Sequence, residues 1–287
     1  MHLRRFSTQQ NFTAARRTRL LQAVMRDLNH RSPAPLLVDP QAATLLEYVM
    51  SDEDRAILEA HPLSSACQDV TVMRTRALDR WLERPTWPPV RTTRRQTVLF
   101  GAAADTRPYR FGFSRYVQTV FEVDADEALL KAKHEAIAAA GFAPRCDVRI
   151  VGCDLSDTKA IEARLVAAGY DPLLPTRWVG EALEYAAQPA ELFALANRMG
   201  GRPGSGCAAT LLDPSFAARL TALAEGADAV QPYVEDLPSV GSVLASMRNA
   251  GWVNVRNLTR EELSEACGGR AVPGALHVVV GDAHHTE

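Results

Sequence analysis

From residue 96 onward the chain alternates short apolar segments with longer amphipathic ones, and this alternation restricts the possible folds more than any other feature. Seven short segments have the composition of buried strands: 96–100, 117–124, 147–155, 176–180, 207–213, 252–258 and 276–282. Longer segments with the apolar spacing of helices lie between most of them, and several end at a glycine: 126–141, 158–169, 189–200 and 237–251. The alternation predicts a Rossmann-like α/β fold, with a mostly parallel, seven-stranded sheet covered by helices on both faces.

The first 90 residues have a different pattern. Three segments show the apolar spacing of helices: 13–28, 40–50 and 72–84. A proline-rich stretch at 85–89 then interrupts the helical pattern. We therefore predict an N-terminal helical cap at 1–90 and a core at 91–287, which together form one integrated domain. No acidic residue precedes Asp27, and we interpret the arginine-rich beginning as a helix of the mature protein, with a transit peptide as the alternative.

Composition argues against several classes of partner. The 287 residues are 47% hydrophobic and 23% charged, as in globular proteins, and the net charge is −2. We therefore expect neither nucleic acid nor a membrane surface as a partner, and no apolar stretch approaches the roughly 18–20 residues that span a bilayer. The five cysteines are scattered without metal-ligand spacing. We expect free thiols, a cytoplasmic location and no metal.

Acidic residues occur at or just beyond the carboxyl ends of four consecutive predicted strands. They are Asp105, the pair Glu122 and Asp124, then Asp154, and finally Glu181. Ligands of an open α/β sheet bind at the carboxyl ends of its strands. One such acid is often a helix N-cap, but four in succession indicate a ligand site.

The stretch VLFGAAADTR, residues 98–107, discriminates between two kinds of ligand. A dinucleotide site needs several glycines to admit a pyrophosphate, whereas this stretch has only Gly101, and Asp105 would repel phosphates. Asp124 follows about twenty residues later, where an acid can accept hydrogen bonds from two ribose hydroxyls. The pattern favours S-adenosylmethionine, whose methionine part carries cations, and leaves a nicotinamide-dependent oxidoreductase as the weaker alternative.

Several stretches together resemble the leucine carboxyl methyltransferase family, and more closely its bacterial branch of S-adenosylmethionine-dependent O-methyltransferases. They are RTRALDRWL (74–82), VLFGAAADTRPYRF (98–111), FEVDADEALLKAK (121–133), VGCDLSD (151–157), YDPLLPTRWVGEALEY (170–185) and MRNAGW (247–252). The resemblance covers about two-thirds of the chain and implies a class I methyltransferase fold, with S-adenosylmethionine as the cofactor.

The resemblance also implies roles for individual residues. Arg74 would bind the methionine carboxylate, and Gly101 would let the backbone approach the methionine moiety. Asp124 would hold the ribose hydroxyls. Asp154 would accept a hydrogen bond from the adenine amine, and Leu155 would pack against the adenine ring.

The acceptor side of the resemblance is less regular. Glu181 would lie near the methionine amino group at the mouth of the substrate pocket, and we predict it and Tyr185 as catalytic residues. Asp105 would border the cofactor and order its loop. The family usually has glycine at the positions of Ala103 and Ala182, and its tyrosine comes one place later than Tyr185.

These residues predict an S-adenosylmethionine-dependent O-methyltransferase that acts on a carboxylate or acidic hydroxyl of a small molecule. The scarcity of lysine beside abundant arginine indicates GC-rich, bacterial coding. We expect the reaction to belong to bacterial secondary metabolism. A protein that binds S-adenosylmethionine without turnover is the alternative from another class. We interpret His134 as a solvated side chain, His277 as a core histidine, and Trp81 and Trp178 as core residues.

Overall fold

A computed structural model describes residues 13–84, 95–112, 117–182, 189–224 and 237–283. Within these ranges, no helix combines the length and the apolar character needed to cross a bilayer. No cluster of histidine, cysteine or acidic side chains in the same ranges could hold a metal ion.

All seven predicted strands are present, with ends that shift by at most three residues. They are β1 (Arg95–Phe100), β2 (Val117–Asp124), β3 (Asp147–Gly152), β4 (Thr176–Gly180), β5 (Gly206–Leu212), β6 (Val253–Asn257) and β7 (Leu276–Asp282). The strand order is β3-β2-β1-β4-β5-β7-β6. The first five strands pair in parallel, and β7 runs antiparallel to both β5 and β6. The prediction of a mostly parallel, seven-stranded α/β sheet is confirmed.

Eleven helices are found in the described ranges. They are α1 (Ala14–His30), α2 (Pro40–Val49), α3 (Asp52–Ala60), α4 (Pro62–Glu83), α5 (Arg107–Arg110), α6 (Glu127–Ala139), α7 (Thr158–Ala167), α8 (Pro189–Gly200), α9 (Pro214–Ala224), α10 (Val240–Asn249) and α11 (Arg260–Ala266). Four of these helices, α3, α5, α9 and α11, were not predicted from the sequence, and the predicted segment for α4 began ten residues too late. Helix α3 buries only Leu58, which explains its weak apolar pattern.

Helices cover both faces of the sheet. Val98 and Phe100 of β1 pack on one face with apolar residues of α7, α8 and α10. Leu99, which points the opposite way, packs on the other face with residues of α4, α6 and α11. The two interior layers explain why the central strands are apolar on both faces.

The N-terminal helices pack directly against the loop that follows β1. Residues of α1, α2 and α4 form one buried cluster that also contains Ala103, Ala104 and Leu129. This contact brings side chains of α1 and α4 to the carboxyl edge of the sheet, where the predicted ligand site lies. The division of the chain at residue 90 stays a prediction.

Candidate functional site

The loop after β1, residues 101–105, is here called the glycine loop. It begins at Gly101, whose φ of 72° and ψ of 37° lie in the left-handed region that favours glycine. The Gly101 N–H donates to the backbone oxygen of Val123 at 2.9 Å. A short 3₁₀ turn over Ala102–Ala104 follows. The loop thus turns sharply at the point where a ligand would approach the end of β1.

Asp124 lies at the end of β2 and is 1% exposed. Its Oδ2 accepts a hydrogen bond from the Ala103 N–H at 3.1 Å, and its Oδ1 accepts one from the Asp126 N–H at 2.8 Å. The Arg19 guanidinium of α1 also pairs with this carboxylate, with Nε 3.1 Å from Oδ1. Arg16, one turn earlier on α1, pairs with Asp126 at 2.6 Å. Helix α1 therefore covers the acid predicted to hold a ribose.

Arg107 connects the glycine loop to α4 and β4. Its side chain is 1% exposed and pairs with three carboxylates: Asp79 at 2.6 Å, Asp105 at 2.5 Å and Glu181 at 2.7 Å. It also donates to the Thr75 backbone oxygen at 3.2 Å. A guanidinium has five N–H donors in a fixed plane, so one arginine can fix several acceptors at once.

Glu181 follows β4 and is held from three directions. Its Oε2 accepts from Arg107, its Oε1 accepts from the Thr75 hydroxyl, and Arg74 Nε lies 3.5 Å from Oε1. Arg74 is 3% exposed on α4. The structure therefore brings Arg74 and Glu181 together, as the two residues predicted to contact the methionine moiety.

Burial opposes ionisation of the Asp105 carboxyl, but the positive charges of Arg107, Arg110 and Lys133 outweigh this effect. They lower the pKa of Asp105 to about 2. The Arg107 N–H also donates to Asp105 Oδ1 at 2.8 Å. The carboxylate is thus ionised at neutral pH and fixed within the loop.

A cleft of about 370 Å³, counted with its open mouth, lies between α1, α4 and the glycine loop. Its lining is polar and contains four arginines. The lining residues are Arg19, Gln22, Arg26, Thr75, Gly101, Ala104, Asp105, Arg107, Arg110 and Glu181. Two of the arginines are anchored by buried acids outside the lining: Arg26 pairs with Asp39 at 2.8 Å, and Arg110 pairs with Asp79 at 2.5 Å.

Asp154 and Leu155 lie in the loop after β3. Asp154 is exposed, and hydrogen bonds from the Ser156 N–H and hydroxyl, each 2.9 Å long, lower its pKa. The positive charge of Arg19 contributes to the same shift. Leu155 is half-buried against the core. The strand predicted to reach residue 155 ends at Gly152, so both side chains lie on a loop beside the edge of the sheet.

Ala182 has a φ of 60°, in the left-handed region, and its N–H donates to the Thr210 hydroxyl at 2.9 Å. This is one of the two positions at which the resembling family usually has glycine. The conformation explains that preference, because an alanine there costs strain that a glycine avoids. At the other position, Ala103 is fully buried and keeps an ordinary helical turn.

Tyr185, predicted as catalytic, falls in residues 183–188 and lies outside the described residues. The interpretation of His134 as a solvated side chain is wrong. Its Nε2 is 2.7 Å from Glu122 Oε2, and its Nδ1 contacts the Tyr109 hydroxyl. Trp81 and Trp178 are buried, as predicted, and His277 is half-buried beside Asn257.

The sequence patterns did not indicate Arg19, Thr75 and Asp79 as residues of the site. Thr75 and Asp79 are one helical turn apart on α4, so they share a face with each other and adjoin Arg74. That spacing was a usable signal once Arg74 had been placed at the ligand. Arg19 had no comparable signal, because only the tertiary fold brings α1 to Asp124.

The described residues fit S-adenosylmethionine in their chemistry. A buried carboxylate at Asp124 suits ribose hydroxyls, and the left-handed Gly101 leaves room for a close approach. Arg74 and Glu181 offer opposite charges for the carboxylate and ammonium of a methionine moiety. In this structure the Arg19 guanidinium of α1 pairs with the same Asp124 carboxylate.

Comparison with known proteins identifies the family. The leucine carboxyl methyltransferase family model matches residues 19–198. A Saccharopolyspora erythraea protein, described as a proposed S-adenosyl-L-methionine-dependent methyltransferase, is 32% identical over 250 residues, 82% of each chain. A Mycolicibacterium smegmatis protein with a similar description is 33% identical over 171 residues, 56% of this chain and 54% of that one. The match thus spans about half the length of this mycobacterial relative.

The fold has a counterpart among solved structures. A crystal structure from Thermobifida fusca, described as that of a proposed methyltransferase, superposes with a TM-score of 0.55 at 12% identity and covers 84% of this chain and 92% of that one. This likeness supports the fold alone, whereas the family match supports the activity. The predictions of a methyltransferase and of S-adenosylmethionine as its cofactor are confirmed, and the chain belongs to the leucine carboxyl methyltransferase family.

Proposed function

We propose that this protein is an S-adenosylmethionine-dependent O-methyltransferase whose acceptor is a small molecule with a carboxylate or an acidic hydroxyl. One observation carries the proposal: the described residues that line the cleft offer no free general base. They include no histidine, and both carboxylates, Asp105 and Glu181, accept hydrogen bonds from Arg107 at 2.5 and 2.7 Å. An acceptor that is already ionised at neutral pH needs no base.

The charge of the lining supports an anionic acceptor. Four arginines and two acids face the cleft, and the acids that balance Arg26 and Arg110 lie behind them. The lining therefore carries more positive than negative charges, which favours the approach of an anion. The relatives come from bacteria, and the proposal includes a place in bacterial secondary metabolism.

When bound, S-adenosylmethionine supplies an electrophilic methyl group on a sulfonium sulfur. Arg74 would bind its carboxylate, Glu181 would hold its ammonium, and Asp124 would accept from its ribose hydroxyls. Asp154 and Leu155 would border the adenine. With no free base among the described residues of the lining, the chain would act by aligning the acceptor oxygen with the methyl carbon and by excluding water from both.

The test uses methyl-labelled S-adenosylmethionine and a panel of small carboxylic acids, phenols and aliphatic alcohols. We expect label to enter carboxylic acids or acidic phenols and not aliphatic alcohols. Alkali separates the products, because a methyl ester releases labelled methanol and a methyl ether does not. Methylation of aliphatic alcohols alone would contradict the proposal. Binding of S-adenosylhomocysteine without labelled product across the panel would instead favour a binding protein without turnover.

A further inference from the structure

Helix α6 buries one lysine completely. The Lys133 side chain is 0% exposed, whereas that of Lys131, two residues earlier, is 60% exposed and pairs with Glu127 at 2.6 Å. An ammonium group out of contact with water is costly unless it is paired and fully hydrogen-bonded. The surroundings of Lys133 must therefore supply that compensation.

Three hydrogen bonds use the three protons of the Lys133 ammonium. Its Nζ donates to the backbone oxygens of Ala102 and Asp105 and to Oε1 of Glu122, each at 2.7 Å. No donor remains for another partner. Two of the three bonds thus go to carbonyl oxygens of the glycine loop, which borders the cleft.

Glu122 supplies the opposite charge and is itself 0% exposed. Its second oxygen, Oε2, lies 2.7 Å from His134 Nε2 on the next position of α6. The ion pair therefore fixes the position of the ammonium relative to β2, and the ammonium in turn reaches the loop.

The same strand also fixes the loop directly. Asp124 lies two residues after Glu122, so both side chains leave β2 on the same face. Asp124 accepts from the Ala103 N–H at 3.1 Å, while Lys133 donates to the carbonyls on either side, those of Ala102 and Asp105. One side chain thus fixes an N–H of the loop, and the other fixes two of its carbonyls.

We infer that Lys133, held by Glu122, is a positioning residue that sets the conformation of the glycine loop for the methionine half of the cofactor. The inference rests on the proposed function, because it assumes that the loop borders bound S-adenosylmethionine. Loss of Lys133 should therefore weaken the binding of ligands that carry a methionine moiety more than the binding of ligands that lack one. A residue that only supported the fold would affect both kinds of ligand equally.

The experiment titrates S-adenosylhomocysteine and adenosine into four proteins by calorimetry: wild type, Lys131→Met, Lys133→Met and the double variant Glu122→Gln, Lys133→Met. The double variant removes both buried charges, whereas Lys133→Met alone leaves the buried Glu122 carboxylate without its ammonium partner. Thermal unfolding of each protein identifies those that are folded. Lys131→Met is the matched control, because it removes an exposed lysine from the same helix.

We expect the folded double variant to bind S-adenosylhomocysteine roughly ten- to a hundredfold more weakly than wild type, as for a misplaced binding loop, and adenosine within about threefold. Lys131→Met should bind both ligands as wild type does. Unchanged S-adenosylhomocysteine affinity in the double variant, or an equal loss for both ligands, would overturn the inference. A wild type that binds neither ligand would overturn the proposed function itself, and the inference with it.

Discussion

Replacement of Gly101 by alanine separates the conformational role of this glycine from its role at the ligand. At a φ of 72°, an alanine destabilises the folded state by roughly 1–2 kcal/mol. Alanine also lowers the conformational entropy of the unfolded chain, which offsets roughly 0.4–1 kcal/mol of this cost. The new Cβ would meet only the Glu181 backbone oxygen, at an ordinary 3.7 Å, so no clash adds to this cost. We therefore expect Gly101→Ala to lower the free energy of unfolding by about 1 kcal/mol.

For a chain of 287 residues, about 1 kcal/mol corresponds to a fall of about 1.7 °C in the unfolding temperature, since unfolding entropy is about 2.1 cal/mol/K per residue. Scanning calorimetry measures that shift. Gly141→Ala is the matched control, because Gly141 has a φ of 85° and open space around its Cβ position. It should lose the same stability.

Only Gly101→Ala should also weaken the binding of S-adenosylhomocysteine, because the methyl group of the new alanine would occupy space at the cleft. Overpacking of about 1–3 kcal/mol corresponds to a roughly 5- to 150-fold higher Kd, measured by calorimetric titration. Equal affinity of the two variants would refute the reasoning, since the ligand would then not approach the backbone at Gly101.

Two further predictions concern the acids of the site. Asp124→Asn keeps one side-chain oxygen as an acceptor for the backbone but loses the second acceptor and the negative charge. A hydrogen bond to a charged group contributes about 1.5–3 kcal/mol, so the Kd for S-adenosylhomocysteine should rise roughly ten- to a hundredfold. The control variant Asp126→Asn, which alters the neighbouring ion pair with Arg16, should leave the Kd for S-adenosylhomocysteine nearly unchanged. An equal loss of affinity in both variants would mean that the effect comes from displacement of α1. The pKa of Asp105 is lowered from 3.8 to about 2, so its ionised form stabilises the folded protein by about 2 kcal/mol above pH 4. This contribution is lost as the pH falls from about 4 to 2. The free energy of unfolding, measured with urea at pH 7 and pH 3, should fall by about 1 kcal/mol more in wild type than in Asp105→Asn. An equal fall in both proteins would contradict the assigned pKa.

The fold was predictable because most strands combine an apolar run with a clear boundary. Val98, Leu99 and Phe100 are all buried, and Gly101 ends the run with a turn that requires a left-handed residue. Helices that bury little, such as α3 with its single buried Leu58, had no comparable pattern.

The site was predictable where a residue follows a strand, because the sheet itself brings strand ends together. The contacts that fix those residues were not. Arg19 and Asp124 are 105 positions apart, and the sequence around either gives no indication of the other. His134 was misread for a related reason: its helix neighbours are charged, but its own partners, Glu122 and Tyr109, come from other elements.

The most direct test of the account concerns Arg74, which joins the N-terminal helices to the methionine end of the site. Calorimetry would measure how wild type and Arg74→Ala bind S-adenosylhomocysteine, which has a carboxylate, and methylthioadenosine, which has none. We predict that the variant binds S-adenosylhomocysteine at least about tenfold more weakly, from the loss of a charged hydrogen bond, and methylthioadenosine as well as wild type does. An equal loss for both ligands, or no loss for either, would contradict the placement of the methionine carboxylate at Arg74.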